Sequence, residues 1–396
     1  MRIEQVIFSS GDRMPMLLDD ADLPVAEACD WALSRRHKAF ATQSRNMQEL
    51  LVVHAWARER RFDLYERLRS GRMFTEAEVT SLLERLRRPS ANGVVVKLAV
   101  SPDTANKRVS TARRHMTWYI NELIADASTG EVQRQRLTDM KAKLDAALLA
   151  GMQSPEGNPK YRKPLKLAQA QFLQDALDPH GTILFGRDSR GRLRNFLMIC
   201  LLTFLGLRTG ELLSLRIQDI RFGAITTIYI RRRGMSPNDP RRRPPRVKRK
   251  GRILPLDSPR IAILLDDYIS TERQWCIDHG RAIDSGFVFL SDEGNPLSTD
   301  RLSQLFRGLR AAFPEKLPEH LSPHSLRYTF TDLVYEELRR LGKDEDEISQ
   351  ILMYLRGDSS PDSQDTYIDY AARGAEALQR YQSQVASSRN APDVLL

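Results

Sequence analysis

Four side chains of this 396-residue chain could together act on a phosphodiester. The segment "HSLR" supplies His324 and Arg327, and residues three apart share one face of a helix. A tyrosine, Tyr367, follows in a short polar segment, with Tyr370 three residues beyond it as a rival. A second arginine, Arg208, stands far upstream in "TFLGLRTGELLSLRIQDI". The charged oxygens of a phosphodiester repel nucleophiles, and the transition state places still more charge on them. Arginine answers both problems with a fixed positive fork that grips two non-bridging oxygens. Arg208 and Arg327 suit that clamp, although a surface ion pair is the ordinary use of any single arginine. A histidine at a helix start can donate to a phosphate oxygen or help move a proton. A phenol titrates near pH ~10, so it needs positive neighbours to become a useful nucleophile.

The pattern of the chain predicts the fold that must carry them: mainly α, with a small antiparallel β-sheet in a C-terminal catalytic domain. Apolar residues make up 41% and charged residues 28%, the balance of a globular protein. No run reaches the roughly 18 apolar residues of a membrane span, and "MRIEQVIFSSGDRMP" has no signal-peptide core. A cytoplasmic protein follows, associated with the nucleoid if the source is bacterial. Cys29, Cys200 and Cys276 are odd in number and far apart, which supports neither a disulfide framework nor a zinc site.

Residues 1–20 read as a short β extension turning at Ser9–Gly11. Residues 21–150 read as a helical domain, with a cap at Ser44 or Asn46, a capping box from Thr75 to Glu78, and a helix ended by Gly151. His54 and His115 lie on apolar stripes and read as core histidines. The stretch 151–166 concentrates Gly, Pro, Ser and charge, and reads as a linker. The second domain, 167–385, has an apolar central helix broken at Gly206, one helix over "TGELLSLRIQDIRF", and strands in "AITTIYIRRR", "RVKRKGRILPLD" and "GFVFLSD". "DSPRIAILLDDYISTERQWC" reads as one helix, and 386–396 as a tail.

Net charge is +10, which favours a polyanionic partner. Between Arg231 and Arg252 stand eleven Lys or Arg and one acid, Asp239, interrupted by prolines that forbid a single helix. Arg241, Arg242, Arg243 and Arg246 in this insert are candidate phosphate contacts, as are Lys107, Arg108, Arg113 and Arg114 on the helix "SPDTANKRVSTARRHMTWYINELIAD". A solvated polar face is the plainer reading of either group. No P-loop is present, and the scattered acids form no two-metal carboxylate cluster. No cofactor and no metal are expected.

At "GLRTGELLSLR" and "HSLRYTF" the chain resembles the tyrosine recombinases, the phage integrase family. The resemblance implies a two-domain DNA clamp whose linker crosses the duplex. It also implies a site-specific recombinase of integrase or transposon type, which cleaves and rejoins double-stranded DNA through a 3′-phosphotyrosyl intermediate. Spacing from "RGD" selects Tyr367 as nucleophile over Tyr370. The family's general acid is a hairpin lysine before an apolar-Pro pair. Here that is Lys248, with Lys250 as alternative; Arg249 between them is too basic to give up a proton. A homotetramer on paired sites is implied, with accessory proteins possible, and "EALQRYQSQVA" as a segment passed to a neighbour.

One position departs from the family. Where relatives carry His or sometimes Trp, this chain has Asp358, whose charge would be repelled by a phosphate by a few kcal/mol at intermediate dielectric, roughly. Three outcomes follow, in order of preference: the carboxylate is held by an arginine or His324, it faces away, or the enzyme is slow or inactive. The rivals to a recombinase are a binding-only protein of the same fold and a type IB topoisomerase-like relaxing enzyme.

Overall fold

The computed structural model describes residues 1–89, 99–154, 163–183, 185, 191–247, 251–358 and 364–386, the side chains of 364–372 excepted. The chain divides into two compact units, Met1–Lys160 and Tyr161–Leu396. Among the described residues no helix is long and apolar enough to cross a membrane.

The first unit opens on an antiparallel hairpin, β1 (Arg2–Ile7) with β2 (Arg13–Leu18), Arg2 opposite Leu18. β2 packs on α1 (Ala26–Ser34) and α2 (Phe40–Glu59). There follow α3 (Leu64–Arg69), α4 (Glu76–Arg87), α5 (Pro102–Ala125) and α6 (Glu131–Ala150). Trp31, Leu50, Trp56, Met116, Ile120 and Leu144 form part of their shared core. The capping box at α4 is present: Glu78 N donates to Thr75 Oγ1 at 3.2 Å, and Thr75 N donates to Glu78 Oε2 at 2.7 Å.

The start of α2 differs from the predicted cap. The helix begins at Phe40, so Ser44 and Asn46 lie inside it and are buried. Asn46 reaches across to α5 instead, donating to Thr111 Oγ1 at 2.9 Å and to Glu49 Oε2 at 3.1 Å. A cap residue that finds a buried partner elsewhere gives no local stop signal. His54 and His115 are core residues: the Tyr65 hydroxyl lies 3.3 Å from one Nε2 and 2.9 Å from the other. Burial pushes their pKa values down to about 4 and about 3, so both are neutral at pH 7.

The second unit is built around α8 (Arg192–Leu205), in which every residue from Phe196 to Leu205 is buried. Burying such side chains contributes roughly 1.5–3 kcal/mol each. Around it pack α7 (Leu167–Leu177), α10 (Pro259–Ser270), α13 (Pro323–Arg340) and α15 (Gln364–Val385). Between α8 and α10 come a short α9 (Thr209–Leu212) and a sheet in the order β3 (Ile220–Arg221), β4 (Thr226–Ile230), β5 (Arg252–Leu256), all antiparallel. α11 (Glu272–His279), α12 (Thr299–Ala312) and α14 (Glu345–Arg356) complete the unit.

Several sequence expectations are corrected here. "TGELLSLRIQDIRF" is not one helix: it breaks after α9 because Leu215 O accepts from Val288 N at 3.0 Å, and the Asp219 carboxylate accepts from Arg216 N at 3.0 Å. "GFVFLSD" forms only isolated bridges, Arg216 with Phe287 and Leu290 with Pro296. "DSPRIAILLDDYISTERQWC" splits at Thr271, whose hydroxyl bonds back to Asp267 O at 2.6 Å. The segment "EALQRYQSQVA" lies in α15 and packs on the core of the second unit. Tyr381, fully buried, donates to Thr203 O, and Gln382 accepts from Asp257 N at 2.8 Å and donates to Pro255 O at 3.0 Å. Those bonds complete the core around α8.

Candidate phosphate-binding site

Two glycine-terminated helices set the site's back wall. α8 ends at Gly206, which has φ +57 and lies so close under Phe330 that a Cβ would meet the ring at 2.5 Å. Only glycine takes that turn without strain, and it leaves the Gly206 carbonyl facing α13. α14 ends at Gly357, φ +59, with Gly357 N donating to Tyr354 O at 2.9 Å and Asp358 N to Met353 O at 3.0 Å. That double bond is a Schellman ending. It turns the Arg356 and Gly357 carbonyls, the negative end of the helix dipole, toward the arginines.

Arg208 sits just before α9. Its Nη1 donates to Glu211 Oε1 at 2.9 Å, to Arg356 O at 2.9 Å and to Gly357 O at 3.3 Å. Arg327 lies one turn into α13 and is buried. Its Nη1 donates to Gly206 O at 2.7 Å and its Nη2 to Arg356 O at 2.7 Å. The two guanidiniums, 119 positions apart in the chain, thus share one carbonyl. They also share one anion. Arg208 Nη2 pairs with Asp358 Oδ1, and Arg327 Nη2 lies 3.3 Å from the same oxygen. Burial, then the neighbouring Arg208, lowers the Arg327 pKa to about 10, with Glu211 and Asp358 opposing; it is still charged at neutral pH.

Two further arginines belong to the site and were not singled out from the sequence as part of it. Arg252, at the start of β5, is wholly enclosed and holds Glu211 in a two-pronged pair at 2.9 Å each, while its Nε donates to Leu355 O at 2.7 Å. Burial would raise the Glu211 pKa, but Arg252, by charge and hydrogen bonding, and Arg208 overcome it and bring it down to about 2. Arg356 Nε lies 2.8 Å from Asp358 Oδ2. In sequence Arg252 is one of eleven cations in a run, and nothing local marks the one that pairs with a carboxylate 41 residues away. Of the three outcomes weighed for Asp358, the structure has the first: arginines hold it.

The other expected site residues are placed as follows. His324 is exposed in the first turn of α13, three residues before Arg327. Tyr367 and Tyr370 fall within α15, their side chains outside the described residues. Lys248 and Lys250 also lie outside the described residues.

Among the candidate DNA contacts, Arg114, Arg242 and Arg243 are exposed. Lys107 is exposed beside Asp103, and Arg246 is half-buried. Arg108 donates to Leu86 O and Arg88 O, and Arg113 grips Asp145 at 2.6 and 2.9 Å. Arg241 is corrected. It is buried, paired with Asp239 at 2.7 Å, bonded to Leu213 O and Leu297 O, and stacked 4.3 Å over Phe287. Those bonds make it a strut of the insert.

Residues 169–353 match the profile of the Phage integrase family. Over that stretch, a little under half of its length, the chain is similar to that family. The matched stretch takes in Arg208, His324 and Arg327 and ends before Asp358 and Tyr367. The protein called tyrosine recombinase XerC of Methylobacterium sp. (strain 4-46) is 28% identical over 184 residues, 46% of this chain and 49% of that protein. The chain therefore spans about half the length of the curated relative it matches. The structure of XerH site-specific recombinase bound to difH substrate, a pre-cleavage complex, shares the fold at TM-score 0.51 and 18% identity, over 85% of this chain and 78% of that one. The XerH post-cleavage complex with palindromic difH gives TM-score 0.48 at 18% identity, over 84% and 79%.

Proposed function

We propose that this chain is a tyrosine recombinase, a site-specific enzyme that breaks and rejoins double-stranded DNA. The observation that carries the reading is the convergence of Arg208 and Arg327 on one carboxylate oxygen, an anion seat in a basic chain of the right family. In the reaction the scissile phosphate takes that seat. The Tyr367 oxygen attacks phosphorus, and a phosphotyrosyl ester forms at the 3′ end as the bond to the 5′ oxygen breaks. The leaving oxygen takes a proton from Lys248 or Lys250, and the phenol's proton passes to the surroundings with the help of His324. Arg208 and Arg327 offset the charge that grows on the non-bridging oxygens. Attack by a second 5′-hydroxyl reverses the steps and rejoins strands, so no external energy source is needed.

Paired sites held by a homotetramer are part of the proposal, as is action at inverted repeats flanking the reading frame. The test is a nicked suicide duplex carrying those repeats. A covalent protein–DNA adduct that disappears in Tyr367→Phe supports the reading, while specific binding without adduct favours a binding-only protein. Relaxation of supercoiled DNA by a monomer, without sequence preference, favours the topoisomerase-like alternative.

A further inference from the structure

We propose that Asp358 is a built-in substitute for the DNA phosphate: it occupies the seat between Arg208 and Arg327 in the DNA-free protein and excludes weaker anions until DNA displaces it. The identification of the displacing ligand rests on the recombinase reading above; the seat itself does not.

The geometry separates the seat from its supports. Behind the site, Arg208 is fixed by Glu211 and the Arg356 carbonyl, and Arg327 by the Gly206 and Arg356 carbonyls. Each arginine then directs an Nη2 forward to the same Asp358 oxygen. Two guanidiniums meeting at one oxygen from different elements is how an oxyanion of a tetrahedral phosphate would be held. The second carboxylate oxygen meets Arg356, as a second phosphate oxygen would. With its side chain 34% exposed, Asp358 can be approached and replaced from solvent, whereas Glu211, 1% exposed, cannot. The two carboxylates differ accordingly: Glu211 is a permanent buttress, and Asp358 is the removable anion.

Charge gives the same division. Arg208, Arg252, Arg327 and Arg356 face Glu211 and Asp358. An incoming phosphate that left Asp358 in place would bring two anions onto one pair of donors, so the two occupy the seat by turns. Because the supports do not involve Asp358, its replacement leaves the clamp standing and open.

The experiment uses the full chain and inorganic phosphate as probe, titrated by calorimetry, with Asp358→Asn and Asp358→Ala compared with the unaltered protein. Both variants are expected to bind phosphate at least tenfold more tightly, and to lose that gain when Arg208→Gln is added. Both should also form the adduct with the nicked duplex faster. Unchanged or weaker phosphate binding in variants that fold overturns the proposal, since a seat freed of its resident anion must accept phosphate more readily. Failure of both variants to fold overturns it too, because Asp358 would then be a support. Tighter phosphate with no adduct in any of the proteins leaves the seat standing and removes the recombinase reading instead.

Discussion

Replacing Glu211 by Gln tests the buttress directly. The substitution keeps the side chain's shape and removes the charge that Arg252 and Arg208 share. The Glu211 pKa falls from its ordinary 4.5 to about 2 in the folded protein, which makes its ionised form worth about 3 kcal/mol of stability at neutral pH, at about 1.4 kcal/mol for each pH unit. Breaking a buried pair by removing one partner costs about 3–5 kcal/mol by independent measure, so the two scales agree. Because the folded value is the lower one, this stability is fully present above pH 4.5 and is lost as pH falls through about 2. In urea unfolding of the C-terminal unit, Glu211→Gln should be less stable by about 3 kcal/mol at pH 7. The gap should shrink to roughly half of that at pH 3. Other groups lose stability in acid equally in both proteins and cancel. A gap below 1 kcal/mol, roughly, or one that stays constant between pH 7 and pH 3, would refute the reasoning.

Four further outcomes follow. Arg241→Gln should destabilise the C-terminal unit by about 3 kcal/mol, leaving Asp239 buried and unpaired. Exposed Arg242→Gln should leave stability within about 0.5 kcal/mol and instead lower the salt dependence of duplex binding by about one ion. Gly357→Ala puts a Cβ 2.6 Å from an Arg252 nitrogen at a φ of +59, so it should cost more than about 1 kcal/mol by urea unfolding and slow adduct formation. Tyr65→Phe removes the hydroxyl shared by His54 and His115, and should cost the N-terminal unit about 1–3 kcal/mol without altering adduct yield.

The meeting of Arg208 and Arg327 was legible because both sit in short segments whose neighbours follow the family pattern. The histidine pair was legible as core for a simpler reason: apolar residues flank it at helical spacing. What the chain hid were partnerships between distant polar groups. Asn46 looks like a cap but bonds to Thr111. Arg241 looks like a phosphate contact but is a strut, because a carboxylate two residues back and two carbonyls from other segments enclose it. Arg252 is the same case in the site itself. Helix breaks at Leu215 and Thr271 were missed for a related reason, since both depend on bonds that apolar periodicity does not report.

The last helix closes the core of the second unit: Leu378, Tyr381 and Val385 are sealed against residues made nearly two hundred positions earlier, among them Thr203. It also braces α13 and α14, which carry Arg327 and Arg356. During synthesis the first unit is complete once residue 160 has emerged, and it can fold while the ribosome continues. The second cannot. A growing or prematurely ended polypeptide that lacks this helix therefore lacks the brace behind Arg327 and Arg356, and its anion seat is unfinished.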